Sequence, residues 1–384
     1  MRAGRRLLAR VYAAMPPSIQ MALARRFAER KSGRLARLRT PTAIILYVTQ
    51  RCNARCAHCF YWKELEAKVD ELSLDELRTL AASLKHPVTL SITGGEPFLR
   101  KDLCDIARAF HTVNGCREIA FATNGIFTDR VVETCERVLA ELDLELLGVQ
   151  VSLDGLEETH DAIRRVPAFK PAVETIRRLA ELARRDARFS VQASCCIQKK
   201  NIGELRDLVE FMIPFRIPLR FALIRGESFG TWNLPPGSSS GIDPRDKESP
   251  LVPVDQLEAF FGWLRRRNAE AAFPFWSPMQ QDKIDLSLRM LREQKKCIAC
   301  YAGSIDGVVY ANGDVALCEL TRPVGNLRDF DMDLEALWHS AEADAMREQI
   351  RTCFCIHGCN LVTGLLFRPD HIRDAVIRKG KASR

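Results

Sequence analysis

Ala43-Ile44-Ile45-Leu46-Tyr47-Val48-Thr49-Gln50-Arg51-Cys52-Asn53-Ala54-Arg55-Cys56-Ala57-His58-Cys59 decides how this chain is read. Its first six residues are an apolar, β-branched run of the kind that forms a buried strand. Its last eight hold three cysteines spaced C-x3-C-x2-C. A protein-bound 4Fe-4S cluster normally takes four thiolates, so a local trio leaves one iron open. The trio sits on the loop leaving the carboxyl end of a first strand, where parallel α/β folds place their chemistry.

Outward from this stretch, residues 43 to about 225 alternate short β-branched runs with amphipathic segments, the mark of repeated βα units. Strands are expected to start near Ala43, Val88, Glu118, Leu147, Ser190 and Leu219, with helices over 73–84, 102–113, 128–141, 171–185 and 202–213. The fold class expected is α/β: a partial (β/α)6 TIM-type barrel over 41–225, open on one side for a large substrate. A Gly, Pro and Ser-rich loop or linker follows over 226–253. A helical connector spans 254–296, with helices over 254–270 and 279–294, and a small cysteine-rich hairpin domain occupies 297–384.

The compartment expected is the cytoplasm. No run reaches the roughly 18 apolar residues of a membrane-spanning helix, and Arg2, Arg5, Arg6 and Arg10 interrupt any secretory core before Met15. Fourteen cysteines in clustered spacings favour thiolate metal ligands over a disulfide framework. Residues 1–40 form a basic helical extension with ten Arg and one Lys against one Glu, more than the whole net charge of +8, so the body is near neutral. Leu7, Leu8, Val11, Tyr12 and Met15 fall at helical spacing among these arginines. Three readings stay open for this segment: a solvated helix on the barrel's outside, peripheral contact with an anionic membrane, or an acidic partner. No aromatic interleaving or recognition motif points to nucleic acid.

Three further turns follow strands: Thr93-Gly94-Gly95-Glu96-Pro97, Thr123-Asn124-Gly125 and Ser152-Leu153-Asp154-Gly155. Paired glycines admit close backbone approach, and the adjacent Glu, Asn, Ser and Asp offer hydrogen bonds to amine, carboxylate and ribose groups. With the cysteine trio, these turns make the chain resemble the radical S-adenosylmethionine (radical SAM) enzymes over residues 43–225. That resemblance implies a 4Fe-4S cluster on Cys52, Cys56 and Cys59, its open iron chelated by the amino and carboxylate groups of SAM. It also implies that Gly94, Gly95, Glu96 and Pro97 hold the amino group, with Thr123 and Asn124 in the same site. Ser152 and Asp154 would then face the carboxylate or ribose, and Arg164 would pair with the carboxylate. His58 reads as a wall residue or cluster neighbour.

A second constellation closes the chain: Cys297-x2-Cys300, Gly313-x4-Cys318 and Cys353-x-Cys355-x3-Cys359. Between its parts, Val308 to Leu317 reads as a hairpin with Asn312-Gly313 as a two-residue turn. This resembles the SPASM or twitch extension of radical SAM enzymes, although the downstream cysteine series is shorter. The resemblance implies at least one auxiliary 4Fe-4S cluster, with Cys300 and Cys318 as ligands, the rest drawn from Cys353, Cys355 and Cys359, and Cys297 as a further candidate. Zinc is the alternative for paired thiolates. Cys195 and Cys196 share the fifth strand, so alternation points one of them into the barrel, where a thiol could return hydrogen to a substrate radical; Cys104, Cys116 and Cys135 read as structural. The function expected is reductive cleavage of SAM and hydrogen abstraction from a peptide or protein, with an electron donor such as flavodoxin or ferredoxin. The alternatives are oxidation or epimerisation of a sugar, aminoglycoside or lipid-linked precursor, or a non-catalytic iron-sulfur or zinc protein.

Overall fold

The computed structural model describes residues 11–35, 37–62, 65, 68–226, 229–238 and 250–381. Six parallel strands run in sequence order, β1 (Ala43–Tyr47), β2 (Thr89–Thr93), β3 (Glu118–Thr123), β4 (Leu146–Ser152), β5 (Phe189–Ile197) and β6 (Leu219–Leu223). Each is paired in register with the next, for example Ala43 with Thr89 and Ala193 with Leu219. Helices Leu74–Ser83, Leu103–Ala109, Thr128–Glu141, Phe169–Arg185 and Leu205–Met212 return the chain between strands. The first begins at a capping box in which Ser73 and Glu76 bond each other's backbone amides. The barrel stays open, because β6 does not return to β1.

Strand alternation sorts each side chain to a face. Leu90, Ile92, Ile119, Phe121, Leu147, Val149, Val151, Val191 and Ile197 point to the helices and are buried. The intervening residues, among them Thr93, Ala122, Gln150, Ser152, Ser194, Cys196 and Arg220, line cavities inside the barrel.

Four differences from expectation have physical causes. The hairpin does not stand apart: β8 (Asp306–Val309) pairs parallel with β1, and β9 (Asp314–Ala316) and β10 (Gly325–Asn326) continue a nine-stranded sheet. Its turn is longer than Asn312-Gly313 alone, since Tyr310 N–H donates to Asp314 O (2.8 Å) and Gly313 takes φ +91°, giving a three-residue loop with glycine in the left-handed region. Within 226–253 the described residues include β7 (Thr231–Trp232), which pairs antiparallel with β11 (Phe354–Cys355), Trp232 stacking on Phe354 at 4.8 Å; residues 227, 228 and 239–249 lie outside the description. An additional helix, Glu157–Arg164, follows β4. The connector helices are Val254–Glu270 and Pro278–Glu293. Of the basic extension, residues 1–10 lie outside the description, and helix Pro17–Leu35 packs on the last helix, Pro369–Lys381.

At Gly313 a Cβ would meet Asn326 Oδ1 at 2.9 Å in a backbone conformation that β-branched residues avoid. Gly313→Val is therefore expected to destabilise the protein by about 1–3 kcal/mol, seen as a lower midpoint in thermal unfolding of the anaerobically prepared holoprotein.

Candidate functional site

The cysteine loop has almost no backbone ladder of its own, and two neighbours clamp it. On one side the β2 turn runs against the chain entering the loop: Gly95 N–H donates to Thr49 O and Glu96 N–H to Arg51 O, both at 2.8 Å. A Cβ on Gly94 would lie 2.4 Å from Thr49 O, and one on Gly95 2.2 Å from Arg51 O, so only glycine allows this approach. On the other side, Arg55 and Ala57 N–H donate to the carbonyls of Arg164 and Ile163, at 3.2 and 2.9 Å.

Cys52, Cys56 and Cys59 line one cavity of about 870 Å³ together with Thr93, Gly94, Gly95, Glu96, Thr123, Asn124, Ser152 and Arg164. Ala54 N–H points at Cys52 Sγ and Arg164 Nη1 at Cys56 Sγ, each at 3.4 Å. Burial pushes the Cys52 thiol up to about 11 and Cys59 up to about 12, so these sulfurs hold their protons at neutral pH until a bound cation displaces them. Three convergent sulfurs with donors aimed at two of them, beside a roomy polar cavity, fit a three-thiolate iron-sulfur site with space for a ligand on its open iron.

Glu96 is 1% exposed. Its carboxylate accepts from Asn124 N–H (2.8 Å), Thr123 Oγ1 (2.9 Å) and Phe98 N–H (3.2 Å), tying the second turn to the third. Asn124 Nδ2 in turn donates to Asn53 Oδ1 inside the cysteine loop (2.7 Å). Burial pushes the Glu96 carboxyl up to about 7, against the pull of those donors. Pro97 is buried at the start of the short helix Pro97–Leu99.

One expected role changes. Asp154 does not present a free carboxylate to a ribose: it is fully buried, lies 2.6 Å from Arg164 Nη2, and accepts from Cys196 N–H at 2.8 Å. Arg164, the last residue of helix Glu157–Arg164, is accordingly anchored by Asp154 and directed at Cys56. Burial raises the Asp154 carboxyl, yet Arg164 and then His58 outweigh it and hold it below its ordinary value. His58 is a wall residue as expected, 3.1 Å from Gln198 Nε2; burial, with Arg164 nearby, lowers it to about 4, so it is neutral at neutral pH.

His58, Phe60, Ser152 and Arg164 also belong to a second cavity of about 1020 Å³ that reaches Gln150, Ser194, Cys196, Arg220, Arg225, Lys283, His357 and Cys359. Alternation places Cys196 on this wall and Cys195 in the helix-facing core, where Asn201 Nδ2 lies 3.6 Å from its sulfur. The inner residues Gln150 and Arg220 went unnoticed in the sequence. Their signal was present, since β4 reads Gly-Val-Gln-Val-Ser with polar residues on alternate positions.

Among the carboxyl-terminal cysteines the structure separates two groups. Cys300, Cys318, Cys353 and Cys355 line one largely apolar cavity of about 480 Å³. Asn360, missed in the sequence, points Nδ2 at the sulfurs of Cys318 (3.5 Å) and Cys355 (3.7 Å). Burial pushes the Cys353 thiol up to about 12 and raises Cys300 and Cys318. Four converging sulfurs in an apolar cavity fit a complete four-thiolate cluster. Cys297 and Cys359, both expected as ligands, are not brought there. Cys297 Sγ turns to Lys295 O at 3.4 Å. Cys359 groups instead with Glu319 and His357, their ligand atoms within 4.8 Å of one another. A hydrogen-bonded pair explains that grouping, as His357 Nε2 lies 2.9 Å from Glu319 Oε2 while Tyr47 donates to Glu319 Oε1 at 2.7 Å.

An open parallel barrel carrying a three-cysteine loop, with a four-cysteine cavity beyond, defines an iron-sulfur protein of the α/β barrel class. Residues 46–212 match the Radical SAM superfamily and residues 300–360 the iron-sulfur cluster-binding domain named SPASM. The chain belongs to the radical SAM superfamily and carries a SPASM extension, a family whose cofactors are a 4Fe-4S cluster and SAM. It is 33% identical to Fe-coproporphyrin III synthase of Methanosarcina barkeri over 46% of this chain and 42% of the relative. It is 29% identical to PqqA peptide cyclase of Bradyrhizobium diazoefficiens over 45% of this chain and 43% of the relative, so it spans less than half the length of either. Streptococcus suis SuiB, solved bound to its precursor peptide SuiA, shares the fold at a TM-score of 0.58 and 17% identity, over 92% of this chain and 79% of its own. Among the described residues no helix is long and apolar enough to cross a membrane.

Replacing Cys300, Cys318, Cys353 or Cys355 with Ala is expected to lower bound iron from about eight per chain toward four. Cys297→Ala and Cys359→Ala are expected to leave it unchanged, as measured by iron and sulfide analysis after anaerobic reconstitution. Asp154→Asn removes the counter-charge of buried Arg164, at a cost on the order of 3 kcal/mol. Thermal unfolding should show that loss, and iron analysis a weaker first cluster with the auxiliary one retained.

Proposed function

We propose that this protein is a radical SAM enzyme that acts on a peptide or protein through hydrogen abstraction. The observation that carries the reading is the shared wall: His58, Phe60, Ser152 and Arg164 border both the cysteine-lined cavity and the second polar cavity. When bound, the reduced cluster and SAM supply one-electron cleavage of a carbon-sulfur bond, yielding 5′-deoxyadenosine once hydrogen has been taken from a substrate. In this reading Cys52, Cys56 and Cys59 hold the cluster. The β2 turn through Gly94, Gly95, Glu96 and Pro97 holds the amino group of SAM, with Thr123 and Asn124 fixing the Glu96 carboxylate. Arg164, oriented by Asp154, offers its guanidinium to the methionine carboxylate, and Ser152 stands between the two cavities.

A peptide is favoured over a compact small molecule because a third cavity of about 630 Å³ shares Phe60, Tyr61 and Glu319 with the first and runs toward Tyr310, Arg322 and Pro323. An extended chain could thus cross the barrel mouth. SuiB, which shares the fold, was solved with a precursor peptide, and the relative from Bradyrhizobium diazoefficiens is a peptide cyclase by name. Cys300, Cys318, Cys353 and Cys355 would hold the auxiliary cluster, and an external flavodoxin or ferredoxin would reduce the first. Cys196, facing the substrate cavity, is better placed than Cys195 to return a hydrogen atom.

Anaerobically reconstituted protein with SAM and dithionite should yield 5′-deoxyadenosine by mass spectrometry, and the Cys52, Cys56 and Cys59 triple Ala variant should yield none. Intact clusters without that product would overturn the reading. A second outcome concerns pH. With Glu96 titrating at about 7, protons compete with the ammonium of SAM for its carboxylate as pH falls through 7. Affinity for SAM should then drop by up to about tenfold per pH unit below 7, and Glu96→Gln should flatten the profile in equilibrium binding.

A further inference from the structure

The second cavity carries an imbalance of charge that SAM binding does not use. Its walls hold Arg164, Arg220, Arg225 and Lys283, and Asp154 is the one carboxylate among the residues lining it. Asp154 is already paired with Arg164. Glu319, just behind His357, is engaged by His357 and Tyr47. The three other basic groups are held at the far side from the cysteine loop, with burial and then neighbouring Arg220 lowering the Lys283 amine to about 7, where an anion beside it restores its charge. Arg220 projects inward from β6 and donates to Gln150 Oε1 at 3.0 Å. Lys283, on helix Pro278–Glu293, is 3% exposed and donates to Phe221 O at 2.7 Å. Arg225 buries an Nε with no hydrogen-bond partner, and His357, 5% exposed, likewise leaves Nδ1 unpartnered. Long cationic side chains are almost never buried without a counter-charge or a full set of acceptors.

Taken with the proposed function, on which this step rests, we infer that the substrate carries an oxyanion, a carboxylate or a phosphate ester, which Arg220, Arg225 and Lys283 bind across the cavity from the SAM site. Arginine offers a planar fork suited to either group, and the amine of Lys283 keeps donors beyond the one given to Phe221 O. Anchoring the anion at β6 sets the rest of the substrate between that wall and Ser152, His58 and Cys196. These three residues then flank the portion of substrate that can be reached from the SAM cavity. The auxiliary cysteines lie on a separate cavity, so the cations do not take the place of cluster ligands.

The test uses reconstituted holoprotein with SAM bound, titrated anaerobically by calorimetry with inorganic phosphate, glutarate and, as a neutral control, glycerol. Phosphate or glutarate should bind where glycerol does not, and Arg220→Gln and Arg225→Gln should each weaken binding at least about tenfold. Preference for phosphate assigns a phosphate ester and preference for glutarate a carboxylate. Because Lys283 is buried and could be needed for folding, Lys283→Arg serves beside Lys283→Gln: the first should retain the probe and the second lose it, with iron content reporting the fold. No binding by either anion, which is the outcome if the cations only offset cluster charge, overturns the inference, as does binding unaltered in both Gln variants of the arginines. Release of 5′-deoxyadenosine from the same samples keeps the two readings separate. SAM cleavage without anion binding sinks the inference alone, whereas anion binding without SAM cleavage sinks the proposed activity alone.

Discussion

Everything in this molecule depends on holding an eight-residue loop, Cys52 to Cys59, that has little backbone structure of its own. Three sulfurs must converge, yet the residues between them form no strand or long helix to fix their positions. The solution is contact from both flanks. Thr49, Gln50 and Arg51 lie directly on the backbone of Gly94 and Gly95, and the carbonyls of Ile163 and Arg164 accept from the loop's amides. The second flank rests on the buried Asp154 and Arg164 pair, which would be costly if it were only an ion pair. It is more than that. Cys196 N–H donates to the carboxylate, Asn201 donates to the carbonyls of Asp154 and Cys196, and Asp154 N–H donates to His160. One salt bridge thereby ties the cysteine loop to β4, β5 and the helix that begins at Glu157.

The second constraint is the inner face of the barrel. A closed eight-stranded barrel packs its interior with branched apolar side chains. Here the inner positions of β2 to β6 are small or polar, and the apolar residues of the same strands face the helices, while β1 and β8 turn Ile45, Tyr47 and Val308 inward against Tyr61 and Tyr310. Leaving the sheet open after six parallel strands makes that arrangement stable, because water or substrate can satisfy Gln150, Ser152, Ser194 and Arg220. The hairpin then covers the opposite edge. Since β8 pairs with β1 in parallel register, Cys300 and Cys318 flank a hairpin of the sheet whose first strand leads into the first trio, while Cys353 and Cys355 come from the β11 segment of the separate two-stranded sheet with β7. Tyr47, Tyr61 and Tyr310 close the space between, with Tyr61 and Tyr310 stacked at 5.7 Å.

Most of this architecture was legible because period two and period 3.6 were strong. All six barrel strands begin within a residue of where the β-branched runs start, and the connector helices follow their apolar spacing. What escaped was long-range. Nothing local states that Val308 will lie beside Ile45, or that Asp154 will meet Arg164 rather than a ligand. Such partners are set by which turns the assembled sheet brings together. Lys283 shows the same limit, since a lysine in an amphipathic helix reads as solvated until the packing buries it.

The carboxyl-terminal cysteines show where spacing does contain the answer and where it does not. Cys353 and Cys355 are two apart on an extended segment, so their side chains leave the same face, while Phe354 between them turns away to stack on Trp232. Cys300 and Cys318 lie beyond the two outer ends of the β8 and β9 hairpin, where the chain enters and leaves it, and so can approach that face together. Cys359 differs in kind. It sits in the first turn of helix Gly358–Leu365, where the change from extended to helical backbone reverses the direction of its side chain and sends it to the barrel cavity. From the next residue, Asn360, the same turn aims an amide at Cys318 and Cys355. The motif C-x-C-x3-C therefore divides between two sites because a strand ends and a helix begins within it.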